Sequence, residues 1–502
     1  MLNLRLFSRH EPSAIKDTDP ITFRIEGAET AIAAEEVHLQ IPRAIIKRNG
    51  SYFYIVNYNA KPITAYETKL MGEVKAKMIN LFSEDNAAQD AVTIETKAHD
   101  FAKGELALHM PLDRADYLSQ FVVHDTVGYG AISILLEDRQ NIEEIEVNEP
   151  TMPIKIYHAR YGHCTTNMSF AGSSEFYRML NKFIAASEKE LNEDTPIIDA
   201  QLDNARVHAQ AKPYAIGGPA ATIRIGGRKD MSPAALMAGG MTNANVLSYL
   251  WLAVESNLNI IIAGAPASGK TTLMSALLSF VPKYKRIITI EEDINELKFY
   301  PNVTNVVSLY GSRYYNMVQT REQVINALRM RPDRLVVGEI RSSETKELFA
   351  GANIGIPFMT TLHSNEGGIA ILKRLVTKPM DVDWQALSAL DLAVYVRQES
   401  NFKRTLSGIS EYKWLSRAEE INNTQAFGDD AVSILQIVEN GELNTEILKN
   451  SKVIAAYSRQ HSVTKSSAVK EMQARASYLK EISTGPTDTL SFIDKVYKYS
   501  DI

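Results

Sequence analysis

The rhythm of apolar and polar positions changes about halfway along the chain. In its early part, short apolar runs such as Tyr52-Phe53-Tyr54-Ile55-Val56 alternate with charged stretches, which predicts a mixed α/β region without a catalytic motif. From Leu135 the pattern predicts a loop and helix start leading into a strand, a second strand over 154–158, a helix over 176–187 and short strands between 206 and 225. Together these make a small α+β unit. Gly226-Gly227-Arg228-Lys229-Asp230 then combines flexible glycines with charge just ahead of Ser232-Pro233, and marks the main boundary.

Beyond that boundary an amphipathic run (Val246, Leu247, Leu250, Trp251, Val254) precedes continuous apolar segments at 258–263, 286–290, 335–337 and 358–362. Apolar runs without alternation fit strands buried on both faces, and helix-like segments separate them, so this half is expected to be a doubly wound α/β domain with a largely parallel sheet. The expected organisation is a variable α/β region over 1–115, an α+β domain over 116–225, a linker over 226–233, and an α/β domain with a helical tail over 234–502.

Composition narrows the class without changing this outline. The 502 residues allow two or three domains, and 45% apolar with 23% charged residues is ordinary for chains that bury cores. No window approaches the roughly 18 to 20 uninterrupted apolar residues of a membrane span, and residues 1–10 lack a signal-like apolar stretch, so a cytoplasmic location is expected. The lone Cys164 reads as a small buried side chain, excluding an internal disulfide or a cysteine-rich zinc site. A net charge of -6 without a basic block speaks against nucleic acid as the principal partner.

Candidate chemistry is concentrated in the second half. Gly264-Ala265-Pro266-Ala267-Ser268-Gly269-Lys270-Thr271 fits G-x4-G-K-[ST] and lies between an apolar strand and a helix over 272–278 that opens with Thr272. Such a loop surrounds a nucleotide's phosphates with backbone N–H groups and a helix N-terminus. Lys270 neutralises the β- and γ-phosphates, the Thr271 hydroxyl ligates magnesium, and a bulky side chain at Gly269 would obstruct the phosphate. The implied ligands are ATP and Mg2+.

Further along, Arg334-Leu335-Val336-Val337-Gly338-Glu339 is an apolar strand ending in an acid. In a parallel sheet ligands lie at the carboxyl ends of strands, which puts Glu339 beside the phosphates, holding magnesium's hydration shell or polarising the attacking water. Another strand runs into Glu291-Glu292-Asp293-Ile294-Asn295-Glu296, bringing up to four carboxylates to the same rim; a solvated acidic loop is the plainer reading. His363 closes Phe358-Met359-Thr360-Thr361-Leu362, where a neutral imidazole could sense the γ-phosphate or serve only structure.

These elements in this order, joined by Leu328-Arg329-Met330-Arg331-Pro332-Asp333 and Gly338-Glu339-Ile340-Arg341, resemble the type II/type IV secretion ATPase superfamily of secretion, pilus, archaellum and conjugation ATPases. Its Walker A, Asp box, Walker B and His box correspond to residues 264–271, 291–296, 335–339 and the segment ending at His363. Upstream, Gly128-Tyr129-Gly130, Ile142-Glu143-Glu144-Ile145-Glu146-Val147-Asn148-Glu149-Pro150, Pro196-Ile197-Ile198-Asp199-Ala200, Arg206 and Thr222-Ile223-Arg224 resemble its N-terminal domain. The likeness covers roughly residues 120 to 400. The large N-terminal region, the absence of a tetracysteine module and the helical tail around 471–479 look most like the archaeal branch.

The resemblance implies a RecA-like ATPase domain, a homo-hexameric ring with nucleotide between the two domains of each subunit, and ATP hydrolysis that moves a pilus, archaellum or secretion machine. It implies Glu296 as general base, Glu339 as the Walker B acid, and Arg206 and Arg224 as positive charge for the γ-phosphate; Arg228 and Arg313 are weaker candidates. The implied partners are a polytopic membrane platform protein and pilin or archaellin export machinery at the cytoplasmic face of the membrane, with no direct nucleic acid.

Three departures qualify the match. The acidic loop is one residue longer than usual, which blurs the roles of Glu291, Glu292 and Asp293; Ile356 and Pro357 follow Gly355 where a histidine is usual; and Ser342 follows Arg341 where an acid or glycine is common. Three other readings remain open at this point: a conjugation-type export ATPase, a nucleotide-dependent scaffold without turnover, and a RecA-type DNA helicase or recombinase, the last disfavoured by the acidic balance.

Overall fold

The computed structural model describes residues 41–56, 63–82, 91–170, 172–202, 205–225, 231–292, 297, 305–311, 318–364, 366–400, 402–415, 425–427, 430–484 and 489–500. The chain divides into two compact units, residues 1–228 and 229–502. The glycine-rich stretch 226–230, expected as a linker, lies outside the described residues.

The first unit opens with β1 (Arg43–Arg48) and β2 (Ser51–Val56), then three helices, α1 (Ala65–Phe82), α2 (Ala91–Ala107) and α3 (Leu112–Thr126). It continues with α4 (Ala131–Leu136), β3 (Ile142–Val147), β4 (Lys155–His158), β5 (Gly162–Thr166), α5 (Ser173–Ile184), β6 (Ile197–Leu202), β7 (Ala205–Gln210) and β8 (Ala220–Ile225). Asn49 and Gly50 both take positive φ, as a two-residue hairpin turn requires, and this sets the β1–β2 pairing. All eight strands form one sheet in the order β1-β2-β5-β4-β3-β8-β7-β6, so residues 43–56 extend the sheet of the α+β unit.

Alternation along β5, β7 and β8 gives that part of the sheet two unlike faces. Ala205, Val207, Ala209, Ala221, Ile223, Ile145 and Ile156 point into a core shared with Phe176, Met179, Leu180 and Phe183 of α5. Cys164 is buried in the same core, as a small apolar side chain. The intervening residues of β7 and β8, including Arg206, His208 and Arg224, are partly or fully exposed on the other face.

The second unit starts with α6 (Pro233–Ala238), where Ser232 Oγ accepts the Ala235 N–H and Pro233 occupies the first turn. There follow α7 (Ala244–Glu255), β9 (Ile260–Gly264), α8 (Lys270–Leu278), β10 (Ile287–Glu291), β11 (Val306–Tyr310), α9 (Thr320–Leu328), β12 (Arg334–Ile340), α10 (Glu344–Asn353), β13 (Phe358–His363) and α11 (Ile369–Val376). The chain then forms β14 (Leu392–Gln398), β15 (Arg404–Leu415), β16 (Gln425–Phe427), β17 (Asp430–Glu439) and β18 (Glu442–Leu443), and ends in α12 (Lys452–Gln460), α13 (Lys465–Ile482) and α14 (Thr489–Ser500).

The sheet runs β11-β10-β12-β13-β9-β14-β15-β17-β16, parallel from β11 through β14 and antiparallel beyond. Neighbouring residues along each parallel strand enter opposite cores. Ile260, Ile262, Val336, Met359 and Leu392 meet α7, α8 and the C-terminal helices, whereas Ile261, Ala263, Leu335, Val337 and Phe358 meet α9, α10 and α11. Both faces are covered, as expected of a doubly wound domain. The strand β13 lies between β9 and β12, so the strands bearing the phosphate loop and Glu339 are separated by the one ending in His363.

Arg334 anchors the start of β12. It is almost wholly buried and donates to Val254 O at 2.8 Å, Leu258 O at 3.2 Å and Phe358 O at 3.5 Å, bridging the end of α7, the turn before β9 and the start of β13. Burial pushes its guanidinium down to about 10, against the pull of Asp391.

Candidate functional site

The loop after β9 begins at Gly264, where backbones approach closely: a Cβ there would lie 2.3 Å from Val396 O and 2.5 Å from Ser268 Oγ. Gly269, the residue before α8, has φ +94°, and a Cβ on it would meet Met241 Cε at 3.2 Å and Arg404 Cδ at 3.3 Å. The constraint on Gly269 within the protein is therefore its left-handed backbone and these two neighbours. Ala265, Pro266 and Ala267 cross the loop, with Ala267 also left-handed at φ +58°. Lys270, Thr271 and Thr272 form the first turn of α8; Lys270 is buried and both threonines are partly buried.

Parallel register brings the other candidates to the same edge. His363 is the partner of Gly264 at the carboxyl end of β13. Glu339 sits where the β12–β13 register shifts between Val337 and Ile340, an irregularity of the kind that re-aims a side chain. The side chains join in one line. Lys270 Nζ donates to Ala265 O at 2.8 Å and lies 3.1 Å from His363 Nδ1. His363 Nε2 is 3.0 Å from Glu339 Oε1, and Arg341 donates to Glu339 Oε2 at 2.5 Å. Arg341 also reaches Glu292 Oε2 at 4.0 Å, and Glu292 Oε1 accepts from Thr320 Oγ1 at 3.2 Å.

Burial and the adjacent Lys270 ammonium push the His363 imidazole below its ordinary range, with Glu339 pulling the other way. A neutral ring accepts from Lys270 at Nδ1 and carries its proton on Nε2, facing Glu339. Two buried polar atoms here have capacity to spare: Ser268 Oγ has no hydrogen-bond partner, and Glu339 Oε1 meets only the His363 ring. Oxygens of this kind, beside a lysine at a helix N-terminus, fit a polyanion with its hydrated cation.

Not every acid of the expected cluster converges. Glu291 is buried and accepts the backbone N–H of Leu297 at 3.0 Å, which ties its carboxylate into its own loop. Asp293 and Glu296 lie outside the described residues, as do Arg228 and Arg313. Ser342, where an acid or glycine was anticipated, donates from Oγ to the buried Glu344 at 2.5 Å, and Glu344 also accepts the N–H groups of Arg341 and Ser342.

In the first unit, Arg206 and Arg224 are register partners on β7 and β8, and Arg224 is also paired with Glu144 on β3. Two adjacent guanidiniums repel, and acids offset them: Asp199 Oδ1 lies 4.0 Å from Arg206 and 3.0 Å from His208 Nδ1. Burial and Glu146 raise the Glu144 carboxyl above its ordinary range, against Arg224.

Sequence reasoning overlooked Arg404, whose Nε donates to Ala267 O at 2.8 Å from the start of β15. The basic pair Lys403-Arg404 ahead of the mixed stretch Thr405-Leu406-Ser407-Gly408-Ile409 was the available signal, and it looks like any solvated strand end. Among the described residues no group of His, Cys, Asp and Glu is arranged to hold a metal ion alone, and no helix is long and apolar enough to cross a membrane.

Residues 169–484 match the family described as Type II/IV secretion system protein, more than half of the chain. The chain belongs to that family, which is one of ATPases. An uncharacterized protein of Methanocaldococcus jannaschii is 26% identical over 367 residues, spanning 69% of this chain and 49% of the relative, so the chain covers about half the length of that protein. A putative conjugal transfer protein of Mycobacterium tuberculosis is 30% identical over 212 residues, 40% of this chain and 60% of that one. Among solved structures, the ATPase DotB of Legionella pneumophila is 17% identical, covering 74% of this chain and 95% of its own, with a TM-score of 0.40.

Proposed function

We propose that the chain hydrolyses Mg-ATP in its second unit and works as a cytoplasmic motor for a pilus-like or archaellum filament, or for type II-like secretion. The observation that carries this reading is the continuous line Lys270–His363–Glu339–Arg341 across three parallel strand ends. A site that only stored nucleotide would have no use for a buried carboxylate oxygen whose one neighbour is a histidine at the same strand edge.

In this reading the backbone of residues 264–269 and the first turn of α8 cradle the phosphates, and Lys270 leaves the Ala265 carbonyl to neutralise them. Thr271 and Glu339 would hold magnesium, which would supply charge to offset the phosphates. Glu339 and Glu296 orient and deprotonate the attacking water, the latter as general base. Neutral His363 reports through Lys270 and Glu339 whether the terminal phosphate is attached. Arg206 and Arg224 would supply positive charge against the negative charge on the γ-phosphate, in the manner of an arginine finger. A homo-hexameric ring acting on a polytopic platform protein at the membrane is the assembly that suits such a motor.

Turnover of a Glu339→Gln chain against the parent tests the reading. The expected outcome is a fall of about 100-fold or more in kcat with nucleotide binding kept, the usual scale for losing a preorganised electrostatic group. Equal, near-zero rates in both would make the protein a scaffold. The likeness to conjugal transfer proteins supports a second reading, an export ATPase of conjugation type. Copurification with a pilin-type platform protein or with a coupling protein separates the two.

A further inference from the structure

The hairpin of β14 and β15 grips the phosphate loop at two points. Val396 of β14 closes on Gly264 at the loop's start, where its carbonyl oxygen leaves no room for a Cβ. Arg404 of β15 reaches the loop's far side, donating from Nε to Ala267 O at 2.8 Å while its stem packs where a Cβ on Gly269 would fall. The hairpin is itself fixed next to the loop, because Gln398 and Arg404 are register partners and Leu406 N donates to Met241 O at 2.7 Å.

Ala267 holds φ +58° although it has a Cβ, a conformation residues other than glycine, asparagine and aspartate seldom adopt unaided. The loop needs its carbonyls turned away from the phosphates, since an inward carbonyl dipole opposes an anion. We infer that Arg404 is a positioning residue for the phosphate loop: its guanidinium takes the Ala267 carbonyl and holds the left-handed peptide in the conformation that accepts phosphate. Arg404 acts on the loop, so its effect falls on every nucleotide that uses the loop, whatever its terminal phosphate. The inference rests on the reading of residues 264–271 as the ATP site.

The test is a double-mutant cycle on the full chain, with fluorescent ADP and ATP analogues titrated into the parent, R404A, A267G and R404A/A267G, and thermal melts confirming that each is folded. R404A is expected to weaken both nucleotides by about tenfold, the scale of one charge-assisted hydrogen bond. In the A267G background the same change should cost less than about threefold, because glycine takes the left-handed backbone without help. R404K provides a second arm if R404A is poorly folded. Its point-charge ammonium lacks the planar Nε–H, so it should show the same coupling with a smaller loss.

Parent-like binding by R404A overturns the inference, and so does an equal loss in both backgrounds. A loss confined to ATP also overturns it, since that would mark a direct contact to the terminal phosphate. A parent that binds neither nucleotide rejects the ATP reading itself, a result distinct from any of these.

Discussion

His363 allows the electrostatics of the site to be tested quantitatively. Its ring lies 3.1 Å from the Lys270 ammonium and 3.0 Å from a Glu339 oxygen. At an effective dielectric of about 20, a protonated ring would be repelled by the first and attracted by the second by roughly 5 kcal/mol each. The two nearly cancel, leaving burial to decide, and burial disfavours the cation; this is why the imidazole sits below its ordinary range. Removing either neighbour unbalances the sum. The side chain is 35% exposed, so solvent reduces the exposed imbalance to about 1 to 2 kcal/mol, roughly a tenfold change in proton affinity. Glu339→Gln should therefore lower the ring's proton affinity further, and Lys270→Met should raise it. Histidine ring resonances followed by NMR across pH 5 to 8 report this directly, with His363→Gln identifying the relevant signal among the ten histidines. If the neutral ring is the working form, as the proposed mechanism requires, parent turnover should stay level down through the ordinary imidazole range and fall only below it. Shifts of the same sign in the two variants, or a parent ring that titrates at or above the ordinary value, would refute the balance argued here.

Two further changes address the framework of the site. Gly264→Ala forces a Cβ to within 2.3 Å of the Val396 carbonyl, which must move; the expected cost is about 1 to 3 kcal/mol, read as a lower Tm together with weakened nucleotide binding, and an unchanged Tm would contradict the close approach. Arg334→Met removes the three donors that reach Val254, Leu258 and Phe358, and relief of a buried cation offsets only part of that loss. A net destabilisation of about 2 to 4 kcal/mol is expected in urea unfolding, and a variant as stable as the parent would mean the guanidinium contributes nothing there.

The parts legible in the sequence were those whose physics is local. The phosphate loop is a short motif in a strand-to-helix setting, and the parallel strands declare themselves as unbroken apolar runs because cores cover both faces. α7 was legible as a helix but not in its degree of burial: its predicted apolar face is joined by Ser248, Tyr249 and Leu252, because other helices and the edge of the sheet enclose it. The antiparallel extension from β15 to β17, the insertion of β13 between β9 and β12, and the use of Arg334 and Arg404 all depend on partners distant in sequence. An arginine that grips a carbonyl 137 residues away reads, in sequence, like any solvated arginine.

The charges at the strand edge carry the argument one step further. Among the described side chains at this edge, Arg341 faces Glu339 and Glu292, and His363, pushed below its ordinary range, stands between Lys270 and Glu339, so these charges nearly balance one another. A triphosphate with one magnesium remains anionic, and a balanced site has little positive charge to spare for it. In the first unit Arg206 and Arg224 are adjacent on β7 and β8, with Glu144 beside Arg224 raised above its ordinary range by burial and Glu146. Two like charges side by side on a sheet face are costly by themselves, and Asp199, 4.0 Å from Arg206, with Glu144, the register partner of Arg224, are the acids that offset them.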